Sequence, residues 1–244
     1  MFYELMQSIR CALPRTCIVC GLTADADYSI CNDCGRELPK FGDCCRCCGI
    51  ELNGGLAKES CCASCQLSPP NFNSCIAVFP YVSPIDKLVA DFKFSARFDV
   101  GYSLSRVLAS AFNAHYTGMA KPELLLPVPL YKSRLDSRGF NQASEICNVL
   151  TEYCGVSTSH SALRKIRNTE PQTSMASAAA RKANLRRAFT VSKRDRLSGV
   201  THIALIDDVV TTMATTQAIS KMLREQQDCR IDVWCLARTR TRTL

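Results

Sequence analysis

The chain has 244 residues, of which 47% are hydrophobic and 21% charged, a composition that excludes a wholly disordered protein. Its length suits one large domain or two modest ones. Residues 1–75 hold 6 Lys and Arg against 8 Asp and Glu, whereas residues 76–244 hold 24 against 14. An acidic partner is therefore expected to bind the second, basic part.

The pattern of apolar residues predicts no membrane span, because no run approaches 18 apolar residues. The first residues carry Glu4 and Arg10 where a signal peptide has a basic end followed by an apolar stretch. We therefore expect a cytoplasmic protein, in which cysteine pairs bind metal more often than they form disulfides. A secreted protein held by disulfides is the alternative, and the cysteine-poor remainder of the chain weighs against it.

The first part of the chain is rich in cysteine, with 13 of the 17 cysteines between Cys11 and Cys75. Eight of them form four CxxC pairs, and two such pairs complete a closed tetrahedral site of four thiolates. Glycine follows three of the pairs and suits a turn with positive φ. We predict two structural Zn²⁺ ions, with sequential pairing as the arrangement of shortest loops and a cross-braced one left open. The predicted ligands are Cys17, Cys20, Cys31, Cys34, Cys45, Cys48, Cys62 and Cys65.

Other cysteines adjoin these pairs, so the register is not unique. Cys44, Cys47 and Cys61 each lie beside a predicted ligand. We place the third pair at Cys45 and Cys48, because Gly49 follows. We place the fourth pair at Cys62 and Cys65, because these two keep the two-residue gap.

The chain beyond the cysteines alternates strands and helices. The stretch SPPNFNS at 68–74 predicts a linker, which divides a cysteine-rich domain at 1–70 from a second domain at 75–244. Strands are predicted at 75–82, 124–131, 202–206 and 231–239, and helices at 84–94, 101–116, 141–155, 174–188 and 215–227. A basic turn is predicted at 132–142. The last residues of the chain, with Arg238, Arg240 and Arg242, are predicted to be a frayed end. This alternation favours an α/β fold with a mainly parallel sheet.

Two carboxylates follow the predicted strand 202–206, at the sheet edge where such folds bind ligands. Asp207 and Asp208 suit Mg²⁺ or the hydroxyls of a sugar. Residues 209–216 then offer backbone amides and hydroxyls at a helix N-terminus, which suits a phosphate. Together they indicate a phosphorylated sugar, whereas an acid pair that only caps the helix fits these residues equally well.

The motif LIDDVVTTMATT resembles the phosphoribosyl-diphosphate (PRPP) motif of type I phosphoribosyltransferases. With the cysteine pairs, VPLYKSRLDSRGFNQ, LRKIRNTEPQ and RKANLRRAF, the chain resembles the ComF/GntX family over nearly its whole length. The resemblance implies a double zinc ribbon before a phosphoribosyltransferase-like domain. It also implies a role in DNA uptake, in natural transformation or in the use of DNA as a nutrient, alongside other DNA-uptake proteins.

The resemblance also assigns roles to single residues. Asp207 and Asp208 would contact the ribose hydroxyls of PRPP, with Mg²⁺ nearby. The 5′-phosphate would lie against Thr211, Thr212, Ala214 and Thr215, and the diphosphate near Arg134, Arg138 and Gly139. The family loop has glycine where this chain has Met213, and methionine there either weakens PRPP binding or displaces the loop. Two hypotheses follow: a PRPP-binding transferase whose acceptor and catalytic base are unknown, and a non-catalytic adaptor for single-stranded DNA with a vestigial pocket.

Residues 164–196 hold 10 Lys and Arg against 2 Asp and Glu. The helix predicted at 174–188 would present Arg181, Lys182, Arg186 and Arg187 to the phosphates of single-stranded DNA, with salt-sensitive and sequence-independent affinity. A solvated basic helix face is the alternative. Phe140 and Phe189 would either stack on bases or lie in the core.

Overall fold

The computed structural model describes residues 15–24, 28–52, 61–169, 187–192 and 197–240. The strands are β1 Arg15–Thr16, β2 Thr23–Ala24, β3 Ser74–Pro80, β4 Leu124–Pro127, β5 Ser157–Thr158, β6 Leu163–Lys165, β7 Phe189–Val191, β8 His202–Val210 and β9 Arg230–Arg238. The helices in these ranges are α1 Asn32–Glu37, α2 Ala63–Leu67, α3 Ile85–Phe94, α4 Phe98–His115, α5 Lys132–Arg138, α6 Gln142–Cys154 and α7 Ala214–Arg224.

Five strands form one sheet in the order β3-β9-β8-β4-β5, and every neighbouring pair is parallel. The predicted parallel α/β fold is therefore confirmed. The central strands β8 and β9 are almost continuously buried, because helices or other elements cover both of their faces. Helices α3, α4 and α6 pack on one face around the buried rings of Phe92, Phe112 and Trp234. Helix α7 and the β6–β7 ribbon cover the other face.

The order of connections creates a crevice at one edge of the sheet. From β4 the chain passes through α6 to β5, and from β8 it passes through α7 to β9 on the opposite side. The carboxyl ends of β4 and β8 are thus the point where the strand order reverses, which is where open parallel sheets bind ligands.

Element boundaries differ most from the predictions at three places. Strand β8 runs to Val210, four residues beyond its predicted end, because β9 continues beside it and pairs with it as far as Arg238. Strand β4 ends at Pro127, four residues early. The predicted turn at 132–142 contains helix α5, which ends at Gly139 with φ +78°.

Near the amino ends of the strands, away from the crevice, the sheet buries the carboxylate of Asp232. Asp232 accepts hydrogen bonds from Ser74 Oγ at 2.7 Å and Tyr116 Oη at 2.8 Å, and its Oδ2 lies 2.7 Å from His202 Nε2. Burial opposes its ionisation, but these hydrogen bonds outweigh burial and lower the pKa of Asp232 to about 2. This network lies at the other end of the strands from the crevice. It joins β3, β8 and β9 to Tyr116, the residue that follows α4.

The cysteine-rich part packs on the sheet domain at two places. Ile30 and Leu38 join the core of the α3–α4–α6 face, and Ser29 N donates to Ser103 Oγ on α4 at 3.2 Å. Cysteines 45, 48 and 65 instead pack near the loop that follows β8. The domain division between residues 70 and 75 stays a prediction.

Within the described residues, no helix combines the length and the apolar character that crossing a membrane requires.

Candidate functional site

The eight predicted ligand cysteines form two clusters of four, and the pairing is sequential. In each cluster the four Sγ atoms lie within 4.8 Å of one another. The Sγ atoms of Cys20 and Cys31 are 3.8 Å apart, as are those of Cys48 and Cys62. A tetrahedron with Zn–S bonds of about 2.3 Å has edges of about 3.8 Å, so both clusters fit a Zn²⁺ ion.

Both clusters repeat one local design. The first CxxC pair of each ends in a turn whose glycine, Gly21 or Gly49, has a φ of +77° or +67°. The second pair begins a short helix, and its first N–H donates to the first cysteine: Cys31 N to Cys17 Sγ at 3.4 Å, and Cys62 N to Cys45 Sγ at 3.2 Å. Gly35 is the third glycine for which a turn was predicted, and it lies inside α1 instead.

Backbone donors favour a thiolate in each cluster. Burial raises the pKa of the Cys17 thiol, but the N–H groups of Cys20 and Cys31 outweigh it and lower that pKa to about 6. The same balance lowers the pKa of Cys45 to about 7. A thiolate is the form that binds metal.

Two of the neighbouring cysteines lie close to the second cluster, because the Sγ atoms of Cys45, Cys47 and Cys61 are also within 4.8 Å of one another. Cys47 and Cys61 form a disulfide with each other beside the second cluster, and Cys44 remains a free, partly buried thiol.

The acid pair lies within β8, not after it. Asp207 and Asp208 are consecutive on a strand, so their side chains leave opposite faces of the sheet. Asp208 is 8% exposed, and Lys93 Nζ at the end of α3 lies 3.0 Å from its Oδ1. Burial and then the charge of Asp208 raise the pKa of Asp207 to about 8, against the opposing charge of Lys93. Asp207 is therefore mostly protonated at neutral pH, and Asp208 has a lysine partner that the sequence did not indicate.

The loop after β8 leads into the N-terminus of α7. Thr211, Thr212 and Ala214 are exposed and Thr215 is partly buried, and the first N–H groups of a helix have no partner within it. The predicted phosphate-binding residues thus present hydroxyls and amides at an 11-residue helix.

Met213 adopts the conformation for which the family glycine is suited, with φ +62° and ψ +6°. Its carbonyl accepts from Thr216 Oγ1 at 3.0 Å and from Gln217 N at 2.8 Å. Its side chain packs against both the α7 face of the sheet and the second cysteine cluster. Methionine therefore keeps the left-handed turn and adds a contact that glycine lacks.

Arg238 connects the same loop to the second cluster. It ends β9 and is 3% exposed, whereas the sequence predicted a frayed end. Its guanidinium donates to Cys48 O at 2.9 Å, to Val210 O at 3.2 Å and to Thr211 O. The prediction of a frayed end is wrong at Arg238, because β9 lies between β3 and β8. Arg240 follows the strand and is exposed, with 3.0 Å between its Nε and Glu51 Oε2; Arg242 lies outside the described residues.

A cavity of about 280 Å³ lies beside Asp208. Its lining includes three cations, Lys93, Arg134 and Arg138, with Phe94 and Phe140. Burial and then the charge of Arg134 lower the pKa of Arg138, while Asp208 opposes them. Arg138 Nη1 donates to the buried Gln142 Oε1 at 2.9 Å. The cavity is therefore electropositive and adjoins the acid pair.

The structure brings the residues predicted to bind PRPP to one edge of the sheet. Arg134 and Arg138 line the cavity, and Gly139 ends the helix that carries them. The sequence did not indicate Lys93 and Phe94 as site residues, because the helix that carries them was predicted from its apolar face alone.

The predicted DNA-binding segment lies mostly outside the described residues, including Arg181, Lys182 and Arg186. Arg187 is exposed in a turn before β7, where a helix was predicted. Phe189 is buried in the core, and Phe140 packs on Phe98 with ring centroids 4.6 Å apart.

No protein-family model matches the chain, but curated proteins do over most of its length. It is 31% identical to DNA utilization protein YhgH of Escherichia coli K12, over 93% of this chain and 98% of that protein. It is 32% identical to competence protein F of Haemophilus influenzae, over 91% and 96%. Competence protein ComFC of Bacillus subtilis is 26% identical, over 82% and 80%.

Among solved structures, glutamine phosphoribosylpyrophosphate amidotransferase from B. subtilis, complexed with ADP and GMP, matches with a TM-score of 0.38 and 17% identity. The match covers 60% of this chain and 30% of that chain.

Proposed function

The chain belongs to the ComF family of competence and DNA-utilization proteins, and on that premise we propose that it binds PRPP with Mg²⁺ as part of DNA uptake or utilisation. The relatives are named for competence and for DNA utilization, which supports the biological role. The site at the carboxyl ends of β4 and β8 supports the ligand.

The observation that carries this proposal is the convergence of three different groups at one edge of the sheet. The acid pair of β8 suits ribose hydroxyls, and the loop 211–215 suits a 5′-phosphate. The cations of the cavity suit a diphosphate. PRPP carries these three groups in one molecule.

The acids and the cysteines would hold the two kinds of metal ion. Asp207 and Asp208 offer the oxygen ligands that Mg²⁺ prefers, and Mg²⁺ would neutralise the charge of the diphosphate. The two cysteine clusters would hold one structural Zn²⁺ each. Binding of PRPP does not require turnover, so transfer to an acceptor is a separate question.

Calorimetric titration with PRPP and Mg²⁺ tests the proposal. We expect saturable binding by the wild type, and its loss when Asp207→Asn and Asp208→Asn are combined. Asp228→Asn is the matched control, because Asp228 is exposed at the opposite edge of the sheet. Absence of PRPP binding in the wild type would refute the pocket assignment, and equal loss in the control would show that the effect is not specific to the site.

A second candidate function is an adaptor that binds single-stranded DNA without catalysis. The excess of basic residues between 164 and 196 favours it. PRPP binding and DNA binding are measured separately, so the two candidates are distinguishable.

A further inference from the structure

Phe94 is a large aromatic side chain on the surface beside the cationic cavity. Its ring is 74% exposed, although the neighbouring Phe92 is fully buried. The amphipathic helix α3 explains the difference, since Ile85, Leu88, Val89 and Phe92 form its buried face and Phe94 lies outside that face. The ring therefore contributes nothing to the core and lines the cavity instead.

The surroundings of Phe94 combine an aromatic face with positive charge. The guanidinium carbon of Arg138 lies 5.1 Å from the ring centroid of Phe94. Phe140 lines the same cavity and is held by its packing on Phe98 and Phe92, at 4.6 and 5.5 Å between centroids. Burial lowers the pKa of Arg138, and the charge of the nearby Arg134 lowers it further. A flat ring and two guanidinium groups thus face one small space.

The chemistry of this space selects its ligand. An apolar peptide carries no negative charge to match the cations of this cavity, and a phosphorylated sugar alone has no aromatic base to stack on the ring of Phe94. A base joined to a phosphate satisfies both, because bases stack on exposed aromatic side chains and phosphates bind arginine. The volume of about 280 Å³ is at the small end of ligand pockets, which suits one nucleotide unit.

We propose that this cavity binds a single nucleotide unit, with its base stacked on Phe94 and its phosphate on Arg134 and Arg138. The unit comes either from a free nucleotide or from an unpaired residue of a nucleic-acid strand. The site shares its cations with the proposed diphosphate position, so nucleotide and PRPP compete for it. It does not depend on PRPP binding, because the stacking partner lies outside the proposed PRPP contacts.

The test compares three probes on the full-length chain: an oligothymidylate, an abasic oligomer of the same length, and thymidine monophosphate. The variant is Phe94→Leu, which keeps an apolar side chain and removes the aromatic face. Stacking on one side chain predicts a five- to tenfold weaker affinity for the oligothymidylate, with unchanged affinity for the abasic oligomer. Tyr153→Leu is the control, because Tyr153 is a partly exposed aromatic side chain that packs on the guanidinium of Arg106 and does not line the cavity.

Each outcome decides a different point. Equal loss for thymidylate and abasic oligomers, or no loss for either, would overturn the stacking site. If the monophosphate binds with the same dependence on Phe94, the cavity takes free nucleotides; if only the oligomer does, it takes a strand. PRPP titration of Phe94→Leu separates this inference from the proposed function, since the variant should bind PRPP as the wild type does.

Discussion

Arg238 offers the most direct test of how the second cysteine cluster and the phosphate loop are joined. Its buried guanidinium donates to the carbonyls of Cys48, Val210 and Thr211. In Arg238→Lys a single ammonium on a differently shaped side chain cannot keep all three bonds. Hydrogen bonds from a charged donor contribute about 1.5–3 kcal/mol each, so the loss of two lowers the free energy of unfolding by about 3 kcal/mol or more.

Urea unfolding followed by the fluorescence of Trp234 measures this loss, because that indole is fully buried in the same strand. Arg230→Lys is the control, since Arg230 lies at the other end of β9, is 48% exposed in its side chain and contacts Asp232 at 3.1 Å. The control should lose no more than about 1 kcal/mol. If Arg238→Lys stays within about 0.5 kcal/mol of the wild type, the guanidinium does not hold the two parts together.

Four further predictions concern the metal clusters, the loop, the basic segment and the buried carboxylate. Metal analysis should find close to two Zn²⁺ ions per chain, and Cys17→Ser and Cys48→Ser should each lose about one; a folded chain without zinc would contradict this. Met213→Gly should tighten PRPP binding, because removal of the side chain opens the backbone to the phosphate; weaker binding in calorimetry would show that packing on the second cluster matters more. Reversal of the four basic side chains at 181, 182, 186 and 187 to glutamate should weaken single-stranded DNA binding and flatten its salt dependence, and an unchanged salt series would make the segment a solvated face. Because the pKa of Asp232 falls from 3.8 to about 2 on folding, its contribution of about 2 kcal/mol is present above pH 4 and lost as the pH falls towards 2; acid unfolding of Asp232→Asn should lack this step.

Features set by local spacing were predictable from the sequence. Two cysteines separated by two residues can bind one metal from a single turn, and the eight cysteines predicted from this spacing lie in two sequential groups of four. The alternation of apolar strands with amphipathic helices predicted the parallel sheet for the same reason, since burial on both faces leaves its pattern in each strand. The motif at 207–215 was recognisable because its residues are consecutive.

Features set by contacts between distant segments were decided by the tertiary structure. Lys93 reaches Asp208 across more than a hundred residues of chain, and no local pattern marks that partner. Arg238 was assigned to a frayed end, yet its place between the neighbouring strands buries it against the loop after β8 and the second cluster. Phe94 and Arg138 meet only because α3 and α5 lie at the same edge of the sheet. The cysteine spacing thus determines each group of four cysteines locally, whereas the cavity and the support of the loop after β8 arise only when the sheet brings separate segments together.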